Sequence, residues 1–223
     1  MDTVKKNLLQ LQEEIAKTVE HYTPNIIAVT KYFDETKIIE AYEAGLRDFG
    51  ESRVIEAVEK INRLPQEIRD NSRFHFIGHL QANKVAKLIG NFDFIHSIDS
   101  LKLAKTVSEE AVKRGIKQKV LLQVNNASEE QKFGFSRETI FTDFPEVLKL
   151  EGIEVVGLMN MAPFGVSKEV LKYLFEDIVK IKSELETKFD CRLKEISMGM
   201  SGDYKEAILA GATMIRIGRR LFS

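Results

Sequence analysis

Asn25-Ile26-Ile27-Ala28-Val29-Thr30-Lys31 decides how the rest of the chain is read. Four apolar residues in a row are too few for a helix and lack the alternation of a strand with one wet face. Such a run fits a strand buried on both sides, as in a parallel sheet covered by helices. A helical pattern over Thr36 to Gly45 follows it, and the same unit then recurs along the chain. The next runs are Phe49 with its neighbours, Phe74-His75-Phe76-Ile77 and Phe92-Asp93-Phe94-Ile95. Val120 to Val124, Val155 to Met159, Leu193 to Ile196 and Met214 to Ile217 complete about eight strands. Helical patterns over Arg53 to Leu64, Leu101 to Arg114 and Lys168 to Phe189 lie between them.

Strands alternating with helices imply parallel pairing through crossover connections, and eight units close into an α/β (β/α)8 TIM barrel. A doubly wound open sheet is the competing arrangement. Ahead of the first strand, Val4, Leu8, Leu9, Leu11 and Ile15 are spaced for the apolar face of an extra N-terminal helix. No Pro-, Gly- or Ser-rich linker divides the chain, so residues 1–223 are expected to form a single domain.

Bulk properties narrow the functional classes. A net charge of −1 argues against a nucleic-acid protein that depends on a broad basic field. No run reaches the roughly 18 apolar residues of a membrane span. The N-terminus lacks the apolar core and cleavage site of a signal peptide, so a cytoplasmic protein is expected. The single cysteine, Cys191, cannot form an intrachain disulfide and fits a reducing compartment. Lys188 and Arg192 flank it, yet a structural cysteine is the simpler reading than a reactive one.

In a barrel, chemistry gathers where strands end at their C-terminal face. Strand one ends at Lys31. Burial disfavours an ammonium and favours the neutral amine that Schiff-base chemistry requires, although a lysine here is also compatible with a solvated cap. Ser197-Met198-Gly199-Met200-Ser201-Gly202-Asp203 is read as the link from strand seven to a helix near Asp203. Asp203 and Glu206 have the spacing of a capping box. Strand eight runs into Gly218-Arg219-Arg220. Loops after strands seven and eight commonly hold phosphate in these barrels, but ordinary tight turns would look the same.

His75 and His79 are four apart, but Gly78 falls between them at a strand end and no metal site is expected. His75 is expected in the core, and His79 and Gln81 at the mouth. His21 and His96 have no ligand-like spacing. The polar stretch Asn125 to Gly134, with Glu129 and Lys132, reads as a solvated loop or a lip over the mouth. Met159, Met161, Met198 and Met200 are read chiefly as packing.

Taken in order, several motifs resemble the pyridoxal-phosphate homeostasis family. They are Ala28-Val29-Thr30-Lys31, Phe49-Gly50-Glu51, His75 to Gln81 with Asn83-Lys84, and His96-Ser97-Ile98-Asp99. Gly157-Leu158-Met159 with Met161-Ala162-Pro163, Ser197 to Ser201, and Arg216-Ile217-Gly218 complete the series. The resemblance spans about Asn25 to Phe222 and implies a barrel similar to the N-terminal domain of alanine racemase. It implies that Lys31 carries pyridoxal 5′-phosphate as an internal aldimine. Ser201 and the backbone of Gly218 and Arg219 would hold the phosphate, and Arg216 would face the pyridine nitrogen. A donor-only arginine there disfavours ring protonation and weakens the cofactor as an electron sink. The loop with Glu129 and Lys132 matches a segment near the cofactor entrance. Two positions depart from the family pattern: Ser52 stands where asparagine is usual, and Phe74 where tryptophan is common.

Racemisation also needs a second acid/base, which alanine racemase takes from a β-domain of a partner chain. The barrel is expected to take up residues 1–223, so a domain of that kind is not expected here. The expected role is a non-catalytic holder that regulates free pyridoxal phosphate, with pyridoxal-phosphate-dependent enzymes as recipients and a monomeric state. A small racemase or transaminase is the alternative. A barrel aldolase using Lys31 is a third reading.

Overall fold

The computed structural model describes residues 3–127 and 133–223. Eight strands pair in sequence order into a closed, all-parallel barrel. They are β1 (Asn25–Val29), β2 (Asp48–Glu51), β3 (Arg73–Phe76), β4 (Phe94–Ile98), β5 (Gln118–Val124), β6 (Ile153–Asn160), β7 (Glu195–Met200) and β8 (Met214–Ile217). Closure comes from β8 returning to β1, with Ala28 opposite Ile217. The (β/α)8 architecture is therefore the one the recurring apolar runs imply, and the open sheet is excluded.

The helices form the outer layer: α1 (Thr3–Thr18), α2 (Glu35–Glu43), α3 (Val54–Arg63), α4 (Gln66–Asp70), α5 (Val85–Leu88), α6 (Leu101–Lys113), α7 (Arg137–Leu148), α8 (Lys168–Phe189), α9 (Tyr204–Ala210) and α10 (Arg219–Phe222). Serine side chains start three of them, each accepting a free N–H in the first turn: Ser100 from Leu103, Ser136 from Thr139 and Ser167 from Val170. The apolar core has two parts. A large one fills the space between strands and helices, and a small one of Ile27, Phe94, Leu121, Val156, Met159 and Met214 forms a separate buried cluster. α1 buries Val4, Leu8, Leu11 and Ile15 against the outer layer, while Leu9, assigned to the same face from the sequence, is exposed. Asn7 ties α1 to α10 by donating to the Leu221 carbonyl at 3.1 Å. Among the described residues no helix is long and apolar enough to cross a membrane.

Three assignments need correction. β4 begins at Phe94, not Phe92, and continues through His96 and Ser97, whose polarity hides a fully buried strand. β7 runs on to Met200, so Ser197 to Met200 is strand rather than linker. The expected capping box is not formed. The Asp203 side chain accepts from the Met200 N–H instead of an N–H of α9, and Glu206 pairs with Lys168. Cys191 is half-buried beside the Leu185 carbonyl, and burial pushes its thiol pKa up, away from a reactive thiolate.

Candidate functional site at the barrel mouth

Lys31 leaves β1 at the C-terminal rim. Its neighbour Thr30 is fully buried, and the chain turns at once, with the Phe33 N–H donating to the Thr30 carbonyl at 2.9 Å. The Phe33 ring packs on Phe222 at 5.0 Å, fastening this turn to α10. Lys31 itself is half-buried, its Nζ 5.0 Å from the centre of the largely exposed Tyr32 ring. Because β1 pairs with β8, the segment from Gly218 onward lies beside Lys31. A Cβ built on Gly218 would sit 3.5 Å from Val29.

Behind Lys31 lies an ion pair that sequence reading did not find. Lys60 of α3 donates to Glu51 Oε1 at 2.7 Å and to the Thr30 carbonyl at 3.0 Å, and the Thr30 hydroxyl donates to the same carboxylate oxygen at 2.6 Å. Both charged residues are buried. The pair clamps the peptide that leads directly into Lys31.

The other side of the mouth is made by β7 and β8. Gly199 has φ +88°, and a Cβ there would lie 2.6 Å from that of Ala207, so only glycine fits this point of the strand. Ser201 follows at the rim, half-buried, with Gly202 facing open space. At the start of α10 the N–H groups of Gly218 and Arg219 have no backbone acceptor among the described residues. These are the donors a phosphate needs, presented beside Lys31 and Ser201.

Arg216 projects from β8 into the barrel and is only 4% exposed. Its Nη1 donates to Ser197 Oγ at 2.8 Å and its Nη2 to the Asn160 carbonyl at 2.9 Å. Burial pulls its pKa down to about 10, opposed by the charge of Asp203, so the guanidinium remains protonated at neutral pH. Ser197 and Asn160, both buried, were not singled out by the sequence.

The remaining expectations divide. His75 is wholly buried, with its ring stacked on Phe94. His79 lies just beyond β3, stacked on Phe133 at 3.6 Å and 3.5 Å from the Asp99 carboxylate. Gln81 is exposed nearby. Ser52 follows β2, and its carbonyl backs so closely on Gly78 that a Cβ there would lie 2.2 Å away. Glu129 and Lys132 lie outside the described residues. Met159 and Met198 are core, whereas Met161 and Met200 are exposed after β6 and at the end of β7.

A parallel barrel with a lysine at the end of β1 and open N–H donors after β8 defines a class, and comparison with known proteins agrees. The chain belongs to the family described as alanine racemase, N-terminal domain, which matches residues 1–223. Within it, the full-length relatives are narrower. The chain is 40% identical over 197 residues to the pyridoxal phosphate homeostasis protein of Synechocystis, covering 88% of this chain and 89% of that one. The human protein of that name is 35% identical over 208 residues, covering 89% and 76%. Among solved structures, PipY of Synechococcus elongatus with PLP bound superposes with a TM-score of 0.87 at 33% identity, covering 99% of this chain and all of that one. Alanine racemase of Clostridium difficile shares the fold, with a TM-score of 0.75 at 20% identity over 56% of its own length.

Proposed function

We propose that this chain is a single-domain, cytoplasmic holder of pyridoxal 5′-phosphate that helps set the free level of the cofactor and has little or no catalysis of its own. The observation that carries the reading is the convergence of four unlike groups at one end of the barrel. They are an accessible primary amine on Lys31, a rim hydroxyl on Ser201, unengaged N–H groups at Gly218 and Arg219, and the buried cation of Arg216. That set suits a molecule with an aldehyde, a phosphate and a basic ring nitrogen.

When bound, the cofactor supplies an electrophilic aldehyde to which an amine can attach. Lys31 offers that amine from a backbone held by the Glu51–Lys60 clamp. Ser201 and the two backbone N–H groups bind and orient the phosphate. Arg216 donates to the ring nitrogen and, having no acceptor, leaves that nitrogen without a proton, which disfavours carbanion chemistry and favours storage over turnover. The relatives' name, homeostasis protein, and PLP in the PipY structure support the same reading. The protein acts as a monomer, and pyridoxal-phosphate-dependent enzymes are its recipients.

The test is the visible spectrum of purified protein given pyridoxal phosphate, beside Lys31→Ala, before and after borohydride. The wild type alone is expected to show an imine band, and reduction to fix the cofactor's mass on Lys31. Turnover of added amino acids should stay at the level of free cofactor. Absence of any band in the wild type would overturn the proposal, and steady turnover would replace the holder with an enzyme.

A further inference from the structure

The barrel interior is not apolar throughout. TIM-barrel cores are ordinarily layers of branched aliphatic side chains, but here a line of polar groups crosses the barrel. Arg73, exposed at the start of β3, donates to Asp48 Oδ2 at 2.6 Å. The other carboxylate oxygen of Asp48 is 2.8 Å from His75 Nε2. His75 Nδ1 is 2.9 Å from His96 Nε2, and His96 Nδ1 is 2.9 Å from Ser197 Oγ. Arg216 completes the line by donating to Ser197. Both histidines and Ser197 are essentially without solvent contact. The line thus joins the end of the barrel where strands begin to Arg216 on β8.

Counting protons gives the line a direction. Arg216 can only donate, so Ser197 Oγ accepts from it and is free to pass its own hydrogen to His96 Nδ1. His96 then carries its proton on Nε2 and donates to His75 Nδ1. His75 in turn carries its proton on Nε2 and donates to Asp48, which accepts from Arg73 as well. Every donor points toward Asp48 and every buried polar atom along the line is satisfied. A second proton on His75 would reverse two links and leave the Ser197 hydroxyl hydrogen without an acceptor in a dry interior.

We propose that Ser197, His96 and His75 form a one-way hydrogen-bond relay from Arg216 to Asp48, and that they are positioning residues for Arg216. The inference rests on the pyridoxal-phosphate reading in one respect, that Arg216 is the group presented to the cofactor ring. Charged groups flank the line at both ends. His75 meets the Asp48 carboxylate, with Arg73 beyond it, and stacks on Phe94; His96 lies between His75 and Arg216; Asp203 faces Arg216. Burial, with the charge of Arg216 acting in the same direction, holds His96 well below the ordinary imidazole range. Burial works against the Asp48 carboxylate, yet the bonds from His75 and Arg73 outweigh it and hold its pKa below the usual value.

The first experiment needs no cofactor. Long-range proton–nitrogen NMR of protein with labelled histidines should show both His75 and His96 protonated on Nε2 and accepting at Nδ1. A proton on Nδ1 of either ring would overturn the relay. The second experiment adds pyridoxal phosphate labelled at the ring nitrogen. Ser197→Ala should shift that nitrogen's signal from its wild-type position while keeping the imine band, and Ser197→Thr should restore it. An unmoved signal in folded Ser197→Ala overturns the positioning role. If both variants fail to fold, the wild-type tautomers decide the relay. A wild type that forms no band removes the cofactor reading and with it the role toward the ring, while the tautomer result still supports or overturns the relay.

Discussion

The Glu51–Lys60 pair makes a quantitative prediction. Substituting Glu51→Gln keeps the volume and an oxygen for the Thr30 hydroxyl but removes the only carboxylate hydrogen-bonded to the Lys60 ammonium among the described residues. With Lys60 5% exposed, water cannot take over. Breaking a buried pair from one side costs about 3–5 kcal/mol, because the orphaned charge stays desolvated. At about 2–4 °C per kcal/mol for a chain of this size, Tm should fall by roughly 6–20 °C. The fold should survive, since domains have about 5–15 kcal/mol in hand. Neutralising both partners in Glu51→Gln/Lys60→Met should recover at least half of the loss, as no charge is then left unpaired. Urea unfolding of the wild type, Glu51→Gln, Lys60→Met and the double variant, read by far-UV circular dichroism, measures the cycle. A loss below about 1 kcal/mol for Glu51→Gln, or a double variant as unstable as the two singles added together, would refute the reasoning.

Other predictions follow from the same contacts. Hydrogen bonds from Tyr204 and Lys205, with the charge of Arg220 nearby, lower the Glu14 pKa from 4.5 to about 2. A carboxylate lowered in the folded state adds stability above its unfolded pKa and loses it as pH falls through the folded one. Glu14→Gln should therefore be less stable than wild type at pH 7, with the gap closing between about pH 4.5 and 2, as paired urea midpoints will show. His96 works in the same sense, in a higher pH window. It is a base kept neutral by burial, so the unfolded chain binds the extra proton and stability falls as pH drops below about 6.5. The wild type should lose up to about 1.4 kcal/mol per pH unit there through this group, and His96→Gln should flatten that dependence in denaturant titrations. Gly199→Ala combines a positive φ with a Cβ 2.6 Å from Ala207, and should cost about 1–3 kcal/mol by thermal melting.

What the sequence reveals and what it hides have one physical origin. β1 and β8 are legible because their apolar runs are short and bounded, and α8 because its Ser167 cap and buried side chains agree over Lys168–Phe189. β4 and β7 blur because positions inside the barrel carry His96 and Ser197. In a single strand these look like surface residues, and their partners are each other, 101 residues apart. Lys60 is hidden in the same way: a lysine within a helix reads as solvated until Glu51 and Thr30 are placed against it. α7 is hard to read because Pro145 lies inside it and interrupts the helical pattern. The roles given to Lys31, Ser201, Gly218 and Arg219 come from the family resemblance, but their positions at strand ends and glycine turns leave a local mark. Their supports leave none.

The polar interior and the composition of the mouth are then one problem. A guanidinium at the position of Arg216 is costly to bury, and its hydrogens need acceptors that a wholly aliphatic barrel does not contain. Ser197 and the Asn160 carbonyl supply two. Ser197, however, accepts from Arg216 only if its own hydrogen has somewhere to go, and His96 provides that place. His96 then needs an acceptor, which His75 provides, and His75 needs Asp48. Each residue solves the problem created by the one before, and the sequence of demands ends only where the buried Asp48 meets the exposed Arg73. On this account Arg216→Leu removes the first demand and leaves Ser197 free to turn. It should cost the fold less than Asp48→Asn, which leaves the line without its anionic end. Thermal melts of the two variants compare them directly, and a larger loss for Arg216→Leu would place the origin of the polar line somewhere other than the mouth.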